Sequence, residues 1–192
     1  MQFNPQKTFF SSDAHFFHRK ICAYSNRPFI STEEMNDEMI RLHNKSVSAN
    51  DVWFHLGDFS FGKIEETKNV LAQLNGKKYF ILGNHDGILA KYRDELIGEG
   101  LIQELTHYKE IYVGNQFICL FHYPCRSWNK SHYGSWHLHG HLHGNMAPFN
   151  KSVDVGYDAP YVLGHNVYRP KSFYEIKDFM DQQAPQDVDH HN

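Results

Sequence analysis

Little in this sequence points to a thiol-stapled scaffold, a membrane protein or a polyanion coat. The three cysteines, Cys22, Cys119 and Cys125, leave at least one thiol unpaired and form no CxxC pair. That argues against a structural thiolate zinc site. Cysteine-phosphatase chemistry needs an arginine six residues after its cysteine. The residues six beyond Cys22, Cys119 and Cys125 are Pro28, Cys125 and Ser131, so that chemistry is excluded. No apolar run approaches the ~20 residues that cross a bilayer. The start, Met1-Gln2-Phe3-Asn4-Pro5-Gln6-Lys7, lacks the apolar core of a signal peptide. Cytoplasm is therefore the expected compartment, with no membrane partner. The net charge is −3 with no block of Lys or Arg, which argues against a strong nucleic-acid-binding patch. There is also no internal repeat, linker or low-complexity tract. At 192 residues the chain reads as one domain over 1–183, followed by a polar tail, 184–192.

Histidine is the residue in excess, with 15 in the chain. Its arrangement follows the secondary structure. Thr8-Phe9-Phe10-Ser11-Ser12 reads as a buried strand ending at Asp13-Ala14-His15, whose i, i+2 spacing turns both side chains to one side. Ser31-Thr32-Glu33-Glu34 is a capping box opening a helix to about Val47, with Met35 and Met39 on its core face. Asp51 to Leu56 is a second strand ending at Gly57-Asp58, where Gly57 permits close backbone approach. A helix over Lys63–Leu74 follows, and Lys77 to Leu82 is a third strand ending at Gly83-Asn84-His85-Asp86. Right-handed crossovers make these strands parallel, so their tips share one edge and the class is α/β.

The second half changes character. Ile88 to Ile97 reads as a helix, and 111–121 as a hairpin turning at Gly114-Asn115 and ending in His122. The 125–133 segment, with Arg126 and Trp128, suits either a substrate-facing loop or an aromatic-pinned surface loop. In His137-Leu138-His139-Gly140-His141-Leu142-His143, alternation sets four imidazoles on one side if the chain stays extended, and the glycines make turns there. A metal role is expected for at least two of them. Ser152–Gly156 reads as a strand, and 172–183 as strand or helix.

With Asp13/His15, Gly57-Asp58, Gly83-Asn84-His85-Asp86, His122 and Gly140-His141-Leu142-His143 in order over about 130 residues, the chain resembles a calcineurin-like metallophosphoesterase. The resemblance implies a four-layer αββα sandwich of two mixed β-sheets flanked by helices. It assigns Asp13, His15 and His143 to one divalent metal, and Asn84, His122 and His141 to the other, with Asp58 bridging. It also makes His85 the general acid and Asp86 the residue that orients it. Two such cations, about 3.5–4 Å apart, clamp a phosphate and share an attacking hydroxide. Mixed N/O donors suit Mn²⁺ first, then Fe, Zn²⁺ or Ni²⁺. Arg126 or Arg19 would bind a phosphate oxygen or else lie on the surface. His18, His137 and His139 would hydrogen-bond behind the ligands or serve structure alone. Tyr123, Trp128, Tyr133 and Trp136 could stack on a base. The expected activity is hydrolysis of a nucleotide or other small phosphodiester. Phosphomonoesterase and non-catalytic metal scaffold are the alternatives.

Overall fold

Strands and helices alternate through the first half of the computed structural model, which describes residues 1–184. The polar tail expected from 184 lies, from 185 on, outside the described residues. The strands are β1 (Gln2–Phe3), β2 (Thr8–Ser11), β3 (Val52–His55), β4 (Lys77–Ile81), β5 (Glu104–Thr106), β6 (Tyr108–Val113), β7 (Gln116–Phe121), β8 (Trp136–His139), β9 (Ser152–Asp154) and β10 (Lys171–Ser172). The α-helices are α1 (Ile21–Tyr24), α2 (Thr32–Ser46), α3 (Ile64–Gln73), α4 (Gly87–Lys91), α5 (Arg93–Gly98) and α6 (Phe173–Asp181). They form two five-stranded sheets, ordered β10-β2-β3-β4-β5 and β1-β6-β7-β8-β9.

Both sheets are mixed. In the first, β2, β3, β4 and β5 are parallel and β10 is antiparallel to β2. Register pairs Thr8 with Val52 and Val52 with Lys77, so the three tips expected on one edge do share it. In the second sheet, β6 and β7 form the expected antiparallel hairpin, while β1, β8 and β9 pair in parallel.

Period-two alternation divides each strand between two apolar clusters. Phe10, Phe54 and Ile81 face the second sheet, meeting Ile111, Ile118, Leu138 and Val153 in the layer between the sheets. Trp53 and Phe80 point the other way, against Met35 and Met39 of α2, Leu71 of α3, Leu89 of α4 and Leu96 of α5. Ser31 caps α2 by accepting the Glu34 amide at 3.1 Å. The helix expected over Ile88–Ile97 is two short ones, with Tyr92 between them at φ −106°, ψ 21°, outside the helical region. The ambiguous 172–183 stretch is α6, whose capping box pairs Ser172 with Glu175.

The two mixed sheets with their helices are consistent with the expected sandwich. Helix α6 buries Phe173, Ile176 and Met180 in the inter-sheet cluster with Trp136, and it touches β10 and β2. Over His137 of β8, the covering element is the 125–135 loop, with the Trp128 ring 5.4 Å from the imidazole centroid.

Candidate metal centre

Three loops leave the parallel edge and keep pairing beyond their strands. Asp13 N–H donates to Gly57 O at 2.9 Å, and His15 N–H to Asp58 O at 3.0 Å. The third loop is tied in by Asp86, whose buried carboxylate accepts the amides of Asp58, Phe59 and Gly83, each at 2.8 Å. Its two oxygens are thus engaged with the backbone of two strand tips at once. Close approach needs glycine at two places. A Cβ on Gly57 would lie 2.4 Å from His122 Nδ1, and one on Gly83 would lie 2.2 Å from Asp58 Oδ1.

The second sheet contributes the rest. His122 follows β7, and its Nδ1–H donates to Leu56 O at 2.7 Å, leaving Nε2 directed at Asp58 Oδ2, 3.5 Å away. Strand β8 stops at His139, and His141 and His143 take left-handed backbone, so the four imidazoles do not form one ladder. His141 and His143 instead reach the edge, where the His141 amide donates to both Asp13 carboxylate oxygens at 3.1 and 3.0 Å.

Two groups result that could hold metal ions: Asp13, His15 and His143, and Asp58, His122 and His141. Asp58 Oδ2 stands between them, 3.8 Å from His15 Nε2 and 3.5 Å from His122 Nε2. Asn84 Oδ1 lies 3.1 Å from His122 Nε2, on the second group's side. Five of these six group members, Asp13, His15, Asp58, His141 and His143, have φ between 49° and 72°. That left-handed backbone costs a non-glycine residue roughly 1–3 kcal/mol and clusters at functional sites.

The electrostatics fit a cation. Burial, then the Asp154 carboxylate, pushes Asp13 up to about 7. Burial, with the charges of His143 and Arg27, lowers His15 to about 2, so its imidazole is neutral. His15 Nε2 is buried without a hydrogen-bond partner among the described residues, although two carboxylates lie nearby. A lone pair aimed into a space bounded by carboxylates fits a divalent ion. Burial also opposes charge on Asp58, but hydrogen bonds from His122 and the His85 amide outweigh it and lower it to about 2. For His122, the same Asp58 bond and the Asp13 charge overcome burial and raise it.

His85 is exposed at the mouth, its ring 4.9 Å from Phe61 and 6.1 Å from His15. His18 Nδ1 lies 3.1 Å from His15 Nδ1, behind that residue. His139 Nδ1–H donates to Gly140 O at 3.0 Å. His137 Nε2 lies 3.2 Å from the Cys125 amide and 3.1 Å from Tyr123 O, pinning the loop after His122. Trp128 and Trp136 are buried, and the Trp128 indole donates to Ser135 O, so neither ring faces the centre. Arg126 lies over the Phe149 ring, 4.5 Å from its centroid. Arg19 lines a surface hollow with Cys22 and Phe29 that contains neither group. Tyr123 does flank the centre, 4.9 Å from His122 and 4.7 Å from His141, whereas Tyr133 is exposed.

Sequence reading passed over Asp154, Asp158 and Arg27. Asp154 accepts the Gly144 and Gly156 amides at 3.0 and 2.7 Å. Asp158 accepts the His143 Nδ1–H at 2.6 Å and is gripped by Arg27. Asp158 stands two residues beyond the strand expected over Ser152–Gly156, and a charge just past a strand end is a signal that could have marked it. Arg27, before a proline in a loop, has none.

No family model matches the chain. The uncharacterized protein MJ1445 of Methanocaldococcus jannaschii is 34% identical over 159 residues, covering 78% of this chain and 81% of that protein. The gene 66 protein of Mycobacterium phage L5 is 26% identical over 180 residues, covering 79% and 86%. Among solved structures, the protein of unknown function AQ665 from Aquifex aeolicus aligns at a TM-score of 0.67 and 23% identity, over 89% of this chain and 97% of that one. A novel archaeal phosphodiesterase aligns at a TM-score of 0.50 and 15% identity, over 78% and 82%. Likeness at those identities concerns the fold alone. The extent of the first match decides kinship: the chain belongs to the family of the uncharacterized protein MJ1445.

Proposed function

We propose that the protein is a metal-dependent phosphoesterase of the calcineurin-like kind, acting on a small phosphodiester. The observation that carries this reading is the position of Asp58, whose one oxygen lies 3.8 Å from His15 Nε2 and 3.5 Å from His122 Nε2. A carboxylate between two imidazole-containing groups suits a pair of cations and serves a structural site poorly, because structural sites are closed around one ion. Asp13, His15 and His143 would hold one ion and Asn84, His122 and His141 the other, with Mn²⁺ the first ion to test. Bound there, two divalent cations would neutralise charge on a phosphate and activate water at neutral pH.

The chain's own groups supply the rest. Asp58, lowered to about 2, is the anionic group between the two sets, and His122 donates through Nδ1 to Leu56 O, so that Nε2 is the atom that would meet an ion. His85 would give its proton to the leaving oxygen, the step that matters most when the leaving alkoxide is unactivated. Beside His143 opens a hollow of about 420 Å³, lined by Tyr24, Asn26, Asn145, His165 and Tyr168 among others and by no lysine or arginine. Such a lining accommodates an uncharged, hydrogen-bonding half of a diester better than the second negative charge of a monoester. The archaeal phosphodiesterase of like fold supports the same choice.

The test is turnover by the metal-stripped chain reloaded with Mn²⁺. Hydrolysis of bis-p-nitrophenyl phosphate ahead of p-nitrophenyl phosphate is expected. Faster monoester turnover overturns the diester assignment, and no turnover of either overturns the enzyme.

A further inference from the structure

Arg27 uses its guanidinium more fully than any stabilising role requires. The side chain is buried, 4% exposed, against Met35 and Met39 of α2. Its Nε and Nη2 donate to the two Asp158 oxygens, each at 2.8 Å, in a bidentate fork. Its Nη1 donates to Ala14 O at 2.8 Å and Nη2 to Asp13 O at 2.7 Å. Those two carbonyls belong to the turn on which Asp13 and His15 adopt φ of 57° and 55°. Asp158 Oδ2, meanwhile, also accepts His143 Nδ1–H, which aims His143 Nε2 at Asp13 Oδ1, 3.9 Å away. One guanidinium thus bears on all three members of a single group: Asp13 through its own carbonyl, His15 through the carbonyl of Ala14 before it, and His143 through a carboxylate.

We propose that Arg27, acting through Asp158, is a positioning residue for the Asp13–His15–His143 half of the centre and for that half alone. The proposal rests on the two-ion reading above. A buried ion pair by itself gains little stability, since desolvation offsets its attraction. A carboxylate behind a ligating histidine fixes tautomer and ring orientation, and losing one typically weakens a metal site about 10–100-fold. The other half is held differently. His122 is fixed by the Leu56 carbonyl and Asp58 by the His85 amide; the His141 amide rests on the Asp13 carboxylate, and Arg27 donates to none of these three side chains of the second half. The two halves should therefore respond unequally to loss of the fork.

Metal-stripped wild type, Asp158→Asn, Arg27→Met and Arg27→Lys are titrated with Mn²⁺ by calorimetry, with electron paramagnetic resonance reporting spin-coupled pairs. Wild type is expected to take up two ions and show the coupled signal. Each variant should keep one ion near wild-type affinity and bind the other at least about tenfold more weakly. The coupled signal then disappears at Mn²⁺ concentrations that saturate wild type. Arg27→Lys should behave like Arg27→Met, because charge without the planar fork cannot bridge the same acceptors. Circular dichroism checks the fold, and if Arg27→Met does not fold, the near-isosteric Asp158→Asn decides. Two ions at wild-type affinity in Asp158→Asn overturn the assignment, as does parallel weakening of both sites. Wild type taking up no ion overturns the two-ion reading along with it, which separates the two failures.

Discussion

His85 and Asp86 are neighbours in sequence with opposite environments. His85 is exposed at the mouth of the centre, while Asp86 is 1% exposed and bound to three amides. As proton donor, His85 should matter in proportion to how poor the leaving group is. His85→Ala is expected to keep both ions by elemental analysis and to lose about 10²–10⁴-fold in kcat on an alkyl phosphodiester. The loss on bis-p-nitrophenyl phosphate should be much smaller, because nitrophenolate leaves without help. Equal losses on the two substrates, or departure of a metal, would show that His85 is not the acid. The residue types at the strand tips were legible because charge at the end of a buried strand has few other uses. The partner of Asp86 was not, because adjacency in sequence says nothing of which backbone amides a folded turn turns inward.

At the scale of elements, helix α2 was readable end to end from its cap and its apolar period. What α2 does beneath the surface was not readable. Its Met35 and Met39 flank the Arg27 guanidinium, and its His43 is buried against Trp53, their rings 4.5 Å apart. His43 Nε2–H donates to Asn75 O at 2.9 Å, and Nδ1 has no partner among the described residues. A second proton would therefore sit on an unpartnered buried nitrogen, and burial lowers this pKa from 6.5 to about 4. Because the folded value lies below the unfolded one, the neutral form contributes stability above about pH 6.5. That contribution is lost as pH falls from 6.5 toward 4. His43→Gln should flatten the acid limb of denaturant-midpoint against pH in this window for the metal-free protein. An unchanged slope would assign the limb to other buried histidines, such as His55 and His137. Loops were harder to read than helices: Arg27 and Asp158 follow no period, and their 131-residue separation is closed only by the fold.

For the whole molecule, the two sheets meet where five loops converge, three from the parallel edge and two from the partner sheet. The order of those five blocks carried most of the site, since ligands recurring at successive strand tips point to one edge. Legibility failed where several elements share one surface. The 125–133 segment suited either a substrate-facing or an aromatic-pinned loop, and its Trp128 packs buried against His137. The hollow beside His143 gathers side chains from segments between Tyr24 and Tyr168, none of which forms a motif. The Asp86 carboxylate has a further consequence for motion. Amides of Asp58, Phe59 and Gly83, on two different strand tips, all rest on its two oxygens. The three lose their acceptor together when Asp86 is drawn away, so under conditions where that opening limits exchange they should exchange with deuterium at one common rate. Asp86→Asn, which keeps one acceptor oxygen, should accelerate all three together and leave Leu56 and Val70 slow. Independent rates for the three amides would mean that the tips open separately; a common rate would time the opening of the centre itself.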